Sequence, residues 1–176
     1  MQRFHVIIAW LILILLILHL IMGSVTLLTP VFLVQSQFAT VFLGFVCVHA
    51  ALAAWKVLRG KGLRSLTAYA GKNRAYWVRI ASGAAILIAA FVHRTLWTIH
   101  TPFGVLLRDF EWPSLLAQYV LVAGLMVHIL LNIRPLLMDS ALESGGALNR
   151  AMKIVTAAVG VLAAVGAAVY FAEGLL

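Results

Sequence analysis

Four histidines lie inside long apolar stretches of this chain, where packing alone does not account for them. They are His19, His49, His93 and His128. An ionisable side chain is costly within such a stretch, so its presence there indicates a function by default. A single buried imidazole is compatible with a structural hydrogen bond, a proton relay or a metal ligand. His5 and His100 lie at the edges of their stretches and need no special explanation.

The elements that carry these histidines are predicted to be membrane-spanning helices. Of the 176 residues, 64% are hydrophobic and 10% are charged, and the mean hydropathy is +1.08. These values are typical of integral membrane proteins rather than soluble domains. A span needs roughly 20 apolar residues. The sequence therefore predicts an all-α integral membrane protein of one domain, with five transmembrane helices near Val6–Leu27, Phe38–Val57, Tyr76–Trp97, Pro113–Ile133 and Met152–Phe171.

The basic residues predict the orientation of the helices. Eleven of them fall at one set of helix ends, from Arg3 through the segment Lys56–Arg79 to Lys153, and only Arg94 and Arg108 fall at the other set. The positive-inside rule then places the N-terminus in the cytoplasm and the C-terminus outside. The charge indicates topology and contact with anionic lipid, or alternatively a docking surface for a cytoplasmic partner, and we expect no nucleic-acid binding.

The depths of the four histidines predict two pairs. At 1.5 Å per residue, His19 and His93 lie roughly 20–25 Å from the basic ends of their helices, whereas His49 and His128 lie about 8–12 Å from them. We call His19 and His93 the outer pair, and His49 and His128 the inner pair. The first four helices would form a bundle around both pairs.

Two imidazoles at similar depth on different helices can bind one planar metal macrocycle between them. Haem b with two histidine ligands is the natural candidate, because no CxxCH motif is present for covalent attachment. Zinc would need further ligands at each level. A proton relay would normally include carboxylates, and the first four spans contain none. The single cysteine, Cys47, excludes a disulfide framework or an iron–sulfur cluster held by this chain alone.

Residues around the histidines suit a bulky anionic cofactor. Small residues such as Gly23, Gly44 and Gly124 permit close helix packing and would equally leave room for a porphyrin. Three arginines near the span ends, Arg79, Arg94 and Arg134, suit the binding of haem propionates or an extension towards the lipid headgroups. Arg108, Asp109 and Glu111 form a charged cluster at the outer end.

Several segments resemble a known family. The stretches HAALAAWKVLRG from His49, RAYWVRIASG leading to FVHR, and HILLNIRPLLMD from His128 are similar to the membrane-anchor subunits of succinate:quinone oxidoreductases and fumarate reductases, most closely to the single-chain type with five helices and two haems. The resemblance implies that His19 with His93, and His49 with His128, are the axial ligands of two haem b groups. It also makes Arg79 and Ser82, with Arg94 and Arg134, candidates for binding a haem propionate or a quinone. Arg108, Asp109 and Glu111 become the candidates for contact with quinol or for proton release.

The resemblance also implies a function and partners. The chain would pass electrons between a membrane quinone, menaquinone or ubiquinone, and an iron–sulfur subunit on its basic face, with an FAD flavoprotein beyond. The location implied is the inner membrane of a bacterium. Two alternatives stay open: a diheme cytochrome b anchor of another quinone-linked enzyme, such as a hydrogenase or a formate dehydrogenase, and a haem-free carrier or assembly protein.

Overall fold

Five long helices make up most of the structure, a computed structural model that describes residues 2–28, 36–59, 74–102, 104–107, 111–142 and 146–173. Each is long and apolar enough to cross a membrane. The five spans and the helical class predicted from the sequence are therefore confirmed. The helices are α1 (Gln2–Leu28), α2 (Ser36–Arg59), α3 (Arg74–Trp97), α4 (Trp112–Asp139) and α5 (Ala147–Glu173).

A short β-hairpin connects α3 to α4, and the sequence analysis did not predict it. Strand β1 (Thr98–Thr101) pairs antiparallel with β2 (Gly104–Leu107), with Thr98 opposite Leu107 and Thr101 opposite Gly104. The β-branched residues in β1 favour an extended backbone, and Pro102 is a common turn residue. The hairpin joins the helix ends that lie opposite the strongly basic ones.

The first four helices form a closed ring, with α5 packed outside it. The most extensive contact joins α3 and α4, and the next joins α4 and α5. Contacts of α1 with α2, of α2 with α3 and of α1 with α4 complete the ring, while α5 also touches α1. Helix α2 is the most loosely held, because no residue of its most apolar 18-residue window is buried.

Helix α4 forms the centre of the packing. The most buried side chains are those of Ile133 and Leu137, at 2% and 0% exposure, one turn apart near its C-terminal end. Towards its other end, Leu121 packs with Ile86 and Ala89 of α3. Helices in lipid gain little from hydrophobic burial, so close approach through small residues stabilises such contacts.

A hydrogen bond between side chains holds the N-terminal half of α1 against the end of α4. The indole Nε1 of Trp10 donates to Ser140 Oγ at 2.8 Å, and this hydroxyl donates to the carbonyl of Leu136 at 2.7 Å. Indole N–H groups need an acceptor when they are removed from water. The bond therefore fixes where α1, and the histidines on it, lie relative to α4.

The contact between α4 and α5 predicts a difference between two glycines of α5. A methyl group at the buried Gly160 would collide with the Met126 side chain, whereas one at Gly166 would meet nothing within 4 Å. Gly160→Ala should lower the free energy of unfolding by about 1–3 kcal/mol through overpacking. Gly166→Ala, the matched control, should leave it unchanged or raise it by up to about 1 kcal/mol.

The measurement is unfolding of the two purified variants in the same detergent or bilayer. Equal effects of the two substitutions would contradict the close packing of α4 and α5 at Gly160.

Candidate functional site

The side chains of the outer pair, one on α1 and one on α3, lie close together. The ring centroids of His19 and His93 are 6.3 Å apart, and their planes are inclined at 82°. Two phenylalanines of α2 lie beside the His19 ring: the centroid of Phe38 is 6.4 Å away and that of Phe42 is 5.7 Å away. The His19 side of the pair is therefore lined by aromatic side chains of α2.

The spacing of the outer pair fits a shared metal centre. Two imidazoles bonded to opposite sides of one metal ion, with metal–nitrogen bonds of about 2.0–2.1 Å, have ring centroids roughly 6–6.5 Å apart. The observed 6.3 Å lies within this range. Each ring can rotate about its metal–nitrogen bond, so nearly perpendicular planes are compatible with it. The buried Nδ1 of His19 has no hydrogen-bond partner among the described residues.

Gln118 of α4 supports the outer pair, and the sequence analysis missed it. Its side chain interacts with the His93 imidazole. A polar partner of this kind selects the tautomer and orientation of a ligating histidine. The signal available in the sequence was a glutamine within the apolar segment that follows Pro113.

His128, on α4, is held by residues of α3. Its Nδ1 lies 3.1 Å from Ser82 Oγ, and the same hydroxyl lies 3.1 Å from the carbonyl oxygen of Arg79. The hydroxyl has one proton, and a carbonyl can only accept, so the arrangement that satisfies both contacts has Ser82 donating to Arg79 and Nδ1–H of His128 donating to Ser82. Nε2 of His128 then carries a free lone pair, as a metal ligand requires.

Gly83 allows His128 to come this close. A Cβ at Gly83 would lie 3.2 Å from Cε1 of His128, tighter than an ordinary van der Waals contact. The SerGly dipeptide therefore has two roles here, since the serine orients the imidazole and the glycine makes room for it. The residues Gly23 and Gly44 differ from it, because a Cβ at either would meet nothing within 4 Å.

His49 lies in a group of three imidazoles rather than a simple pair. It stacks on His5, with ring centroids 4.6 Å apart and planes inclined at 18°, and it lies near enough to His128 for an electrostatic interaction. The sequence analysis gave His5 no role. Its spacing from His19, 14 residues or nearly four helical turns, places both on one side of α1 and was the signal that was missed.

The spacing of His5 and His49 differs from that of the outer pair. Parallel rings at 4.6 Å are in direct contact and leave no room for a macrocycle between them. Among the residues described, no group of three or more His, Cys, Asp or Glu is arranged to hold a bare metal ion.

The other predicted site residues have diverse surroundings. Arg79 and Arg134 line a groove together with Lys153 of α5. Arg94 is exposed next to His93, and Glu111 is exposed at the start of α4, where its carbonyl accepts from the backbone N–H of Ser114 at 2.9 Å. Outside the described residues lie Arg108, Asp109 and the whole segment 60–73.

Comparison with known proteins adds no assignment. The chain matches no family model, no curated protein and no solved structure. The functional argument therefore depends on the placement of the histidines and on the resemblance of the segments around them.

The bond between Ser82 and His128 makes a prediction about stability. Ser82→Ala would leave the Nδ1–H of His128 without its acceptor, so it should lower the free energy of unfolding by about 1–3 kcal/mol. In ¹⁵N spectra of the imidazoles, the protonated Nδ1 of His128 should also lose its hydrogen-bonded shift.

The matched control is Thr156→Val, which removes a hydroxyl that bonds to the carbonyl of Met152 in its own helix. Thr156→Val should lower the free energy of unfolding by less than Ser82→Ala does, and it should leave the His128 resonances in place. An unchanged His128 spectrum in Ser82→Ala would contradict the proposed tautomer.

Proposed function

We propose that this chain is a diheme cytochrome b membrane anchor that passes electrons between a membrane quinone and the iron–sulfur and flavoprotein subunits of a succinate dehydrogenase or fumarate reductase. Two kinds of support converge on this proposal. The segments around the histidines resemble that family, and two levels of histidines lie inside a bundle of apolar helices.

The outer pair carries the proposal. Its 6.3 Å centroid separation is compatible with two imidazoles that share one metal ion. His19 and His93 would hold one haem b, with Phe38 and Phe42 beside His19 and Gln118 beside His93. Haem supplies one-electron redox chemistry when it is bound. The helices exclude water from the site, and the low polarity around the ligands adjusts the reduction potential.

The inner centre would use His49 and His128. Ser82 orients His128 with Nε2 available, and Gly83 keeps the adjacent space open. His5 would then rest against His49 as a neighbouring ring and not as a ligand, since direct stacking leaves no gap between them. Arg94, exposed beside His93, would bind an outer propionate.

The proposed orientation puts the basic ends of the helices in the cytoplasm of a bacterium, where the iron–sulfur subunit would dock. Arg3, Lys56 and Arg59 are exposed there. The quinone would approach the opposite end, near Glu111 and the hairpin. An anchor of another quinone-linked oxidoreductase would have the same helices and the same haem ligands. It would differ in the partner subunits that co-purify with it.

If the two histidines of a pair bind the same haem, substitution of either one should have the same effect on haem content. His19→Ala and His93→Ala should each remove the same haem, and His49→Ala and His128→Ala should each remove the other, so every variant loses about half of the b-type absorbance. A redox titration of membranes containing each variant identifies which centre is lost.

His5→Ala is the control, because it removes an imidazole that touches His49 without placing a ligand on iron in this account. It should keep both haems. Loss of the inner haem in His5→Ala, with its retention in His128→Ala, would contradict the inner pairing. A wild-type protein without any reduced b-type absorbance would contradict the haem proposal as a whole.

A further inference from the structure

A groove at the basic end of the bundle has a lining that the haem proposal does not use. Its volume is about 480 Å³, and it lies between α3, α4 and α5. Three cations enter it, one from each of these helices, and the wall between them is apolar. The cations are Arg79, Arg134 and Lys153, and the wall includes Leu130, Leu131 and Met138.

The groove opens towards the surroundings of the bundle. Arg134 and Met138 are exposed, whereas Ile133 and Leu137, on another face of α4, are the most buried side chains of the described chain. In a membrane, the exposed face of α4 meets lipid. The cations would lie near the level of the headgroups, since they are close to the ends of their helices.

The described residues that line the groove do not balance its charges, since none of them is a carboxylate. The Nε of Arg79 is buried and has no hydrogen-bond partner among the described residues, although a buried guanidinium donor normally has an acceptor.

We infer that this groove binds the phosphodiester headgroup of an anionic membrane phospholipid. Phosphate oxygens accept several charge-assisted hydrogen bonds, and the planar guanidinium groups of two arginines can each donate two of them. The acyl chains would lie along Leu130 and Leu131 of the apolar wall. This assignment gives Arg79 and Arg134 an anionic partner other than the haem propionate or quinone considered from the sequence, and it does not depend on the proposed function.

The test is lipid binding by the purified full-length chain in detergent, measured by native mass spectrometry with phosphatidylglycerol and with zwitterionic phosphatidylcholine. A cation near the membrane surface contributes roughly fivefold to anionic-lipid affinity. Arg134→Gln combined with Lys153→Gln should therefore weaken phosphatidylglycerol binding about 30-fold. Each single variant should weaken it about fivefold, which keeps the test informative if the double variant fails to fold.

The matched control is Arg74→Gln combined with Arg150→Gln, which removes two exposed cations from the same helix ends outside the groove. It should change phosphatidylglycerol binding much less. An equal loss in both double variants would overturn the site in favour of diffuse attraction. Displacement of the lipid by inorganic phosphate at a similar concentration would overturn it in favour of a soluble anion. Unchanged lipid binding with loss of b-type absorbance would assign the cations to a haem.

Discussion

An imidazole inside a lipid-embedded helix needs a polar or metal partner, and the organisation of this bundle depends on that constraint. Water is absent at such depths, so partners must come from neighbouring helices or from a bound group. His128 has its partner in Ser82, and His93 interacts with Gln118. The buried Nδ1 atoms of His5, His19 and His49 have none among the described residues. In the proposed function, the imidazoles of His19 and His49 would bind haem iron, whereas His5 would not.

The packing divides the molecule into a tight part and a loose part. Helices α3, α4 and α5 approach closely where glycines meet side chains, at Gly83, Gly124 and Gly160. Helix α2 packs loosely against α1 and α3, and α1 is held to α4 through Trp10 and Ser140. The histidines lie at the boundary between the two parts: His128 is fixed on the tight side, while His19 and His49 are carried by the loose helices. A bulky planar group would find room where the helices are loosely packed and a fixed ligand where they are tight.

The features that could be predicted from the sequence are those that depend on a single helix. The five spans follow from hydropathy, and the two levels of histidines follow from the rise per residue along each span. The proximity of His19 and His93 agrees with this, because depth in a membrane is nearly a property of sequence position. The rotation of a helix about its own axis does not follow from sequence position, because packing with neighbouring helices sets it. For this reason the stacking of His5 on His49, the orientation of His128 by Ser82 and the meeting of Arg79, Arg134 and Lys153 in one groove were not predicted. The hairpin was missed for a related reason, since residues 98–112, between two strong helical signals, were interpreted as a loop.

The central claim is that the two levels of histidines hold two haem b groups, and the most direct test is the number of haems per chain. Quantitative pyridine haemochrome analysis of the protein purified from haem-replete membranes, divided by chain concentration from amino-acid analysis, measures it. The account predicts two non-covalently bound haem b groups per chain. A single haem would contradict the inner centre, and a folded, helical protein with no haem would contradict the claim itself.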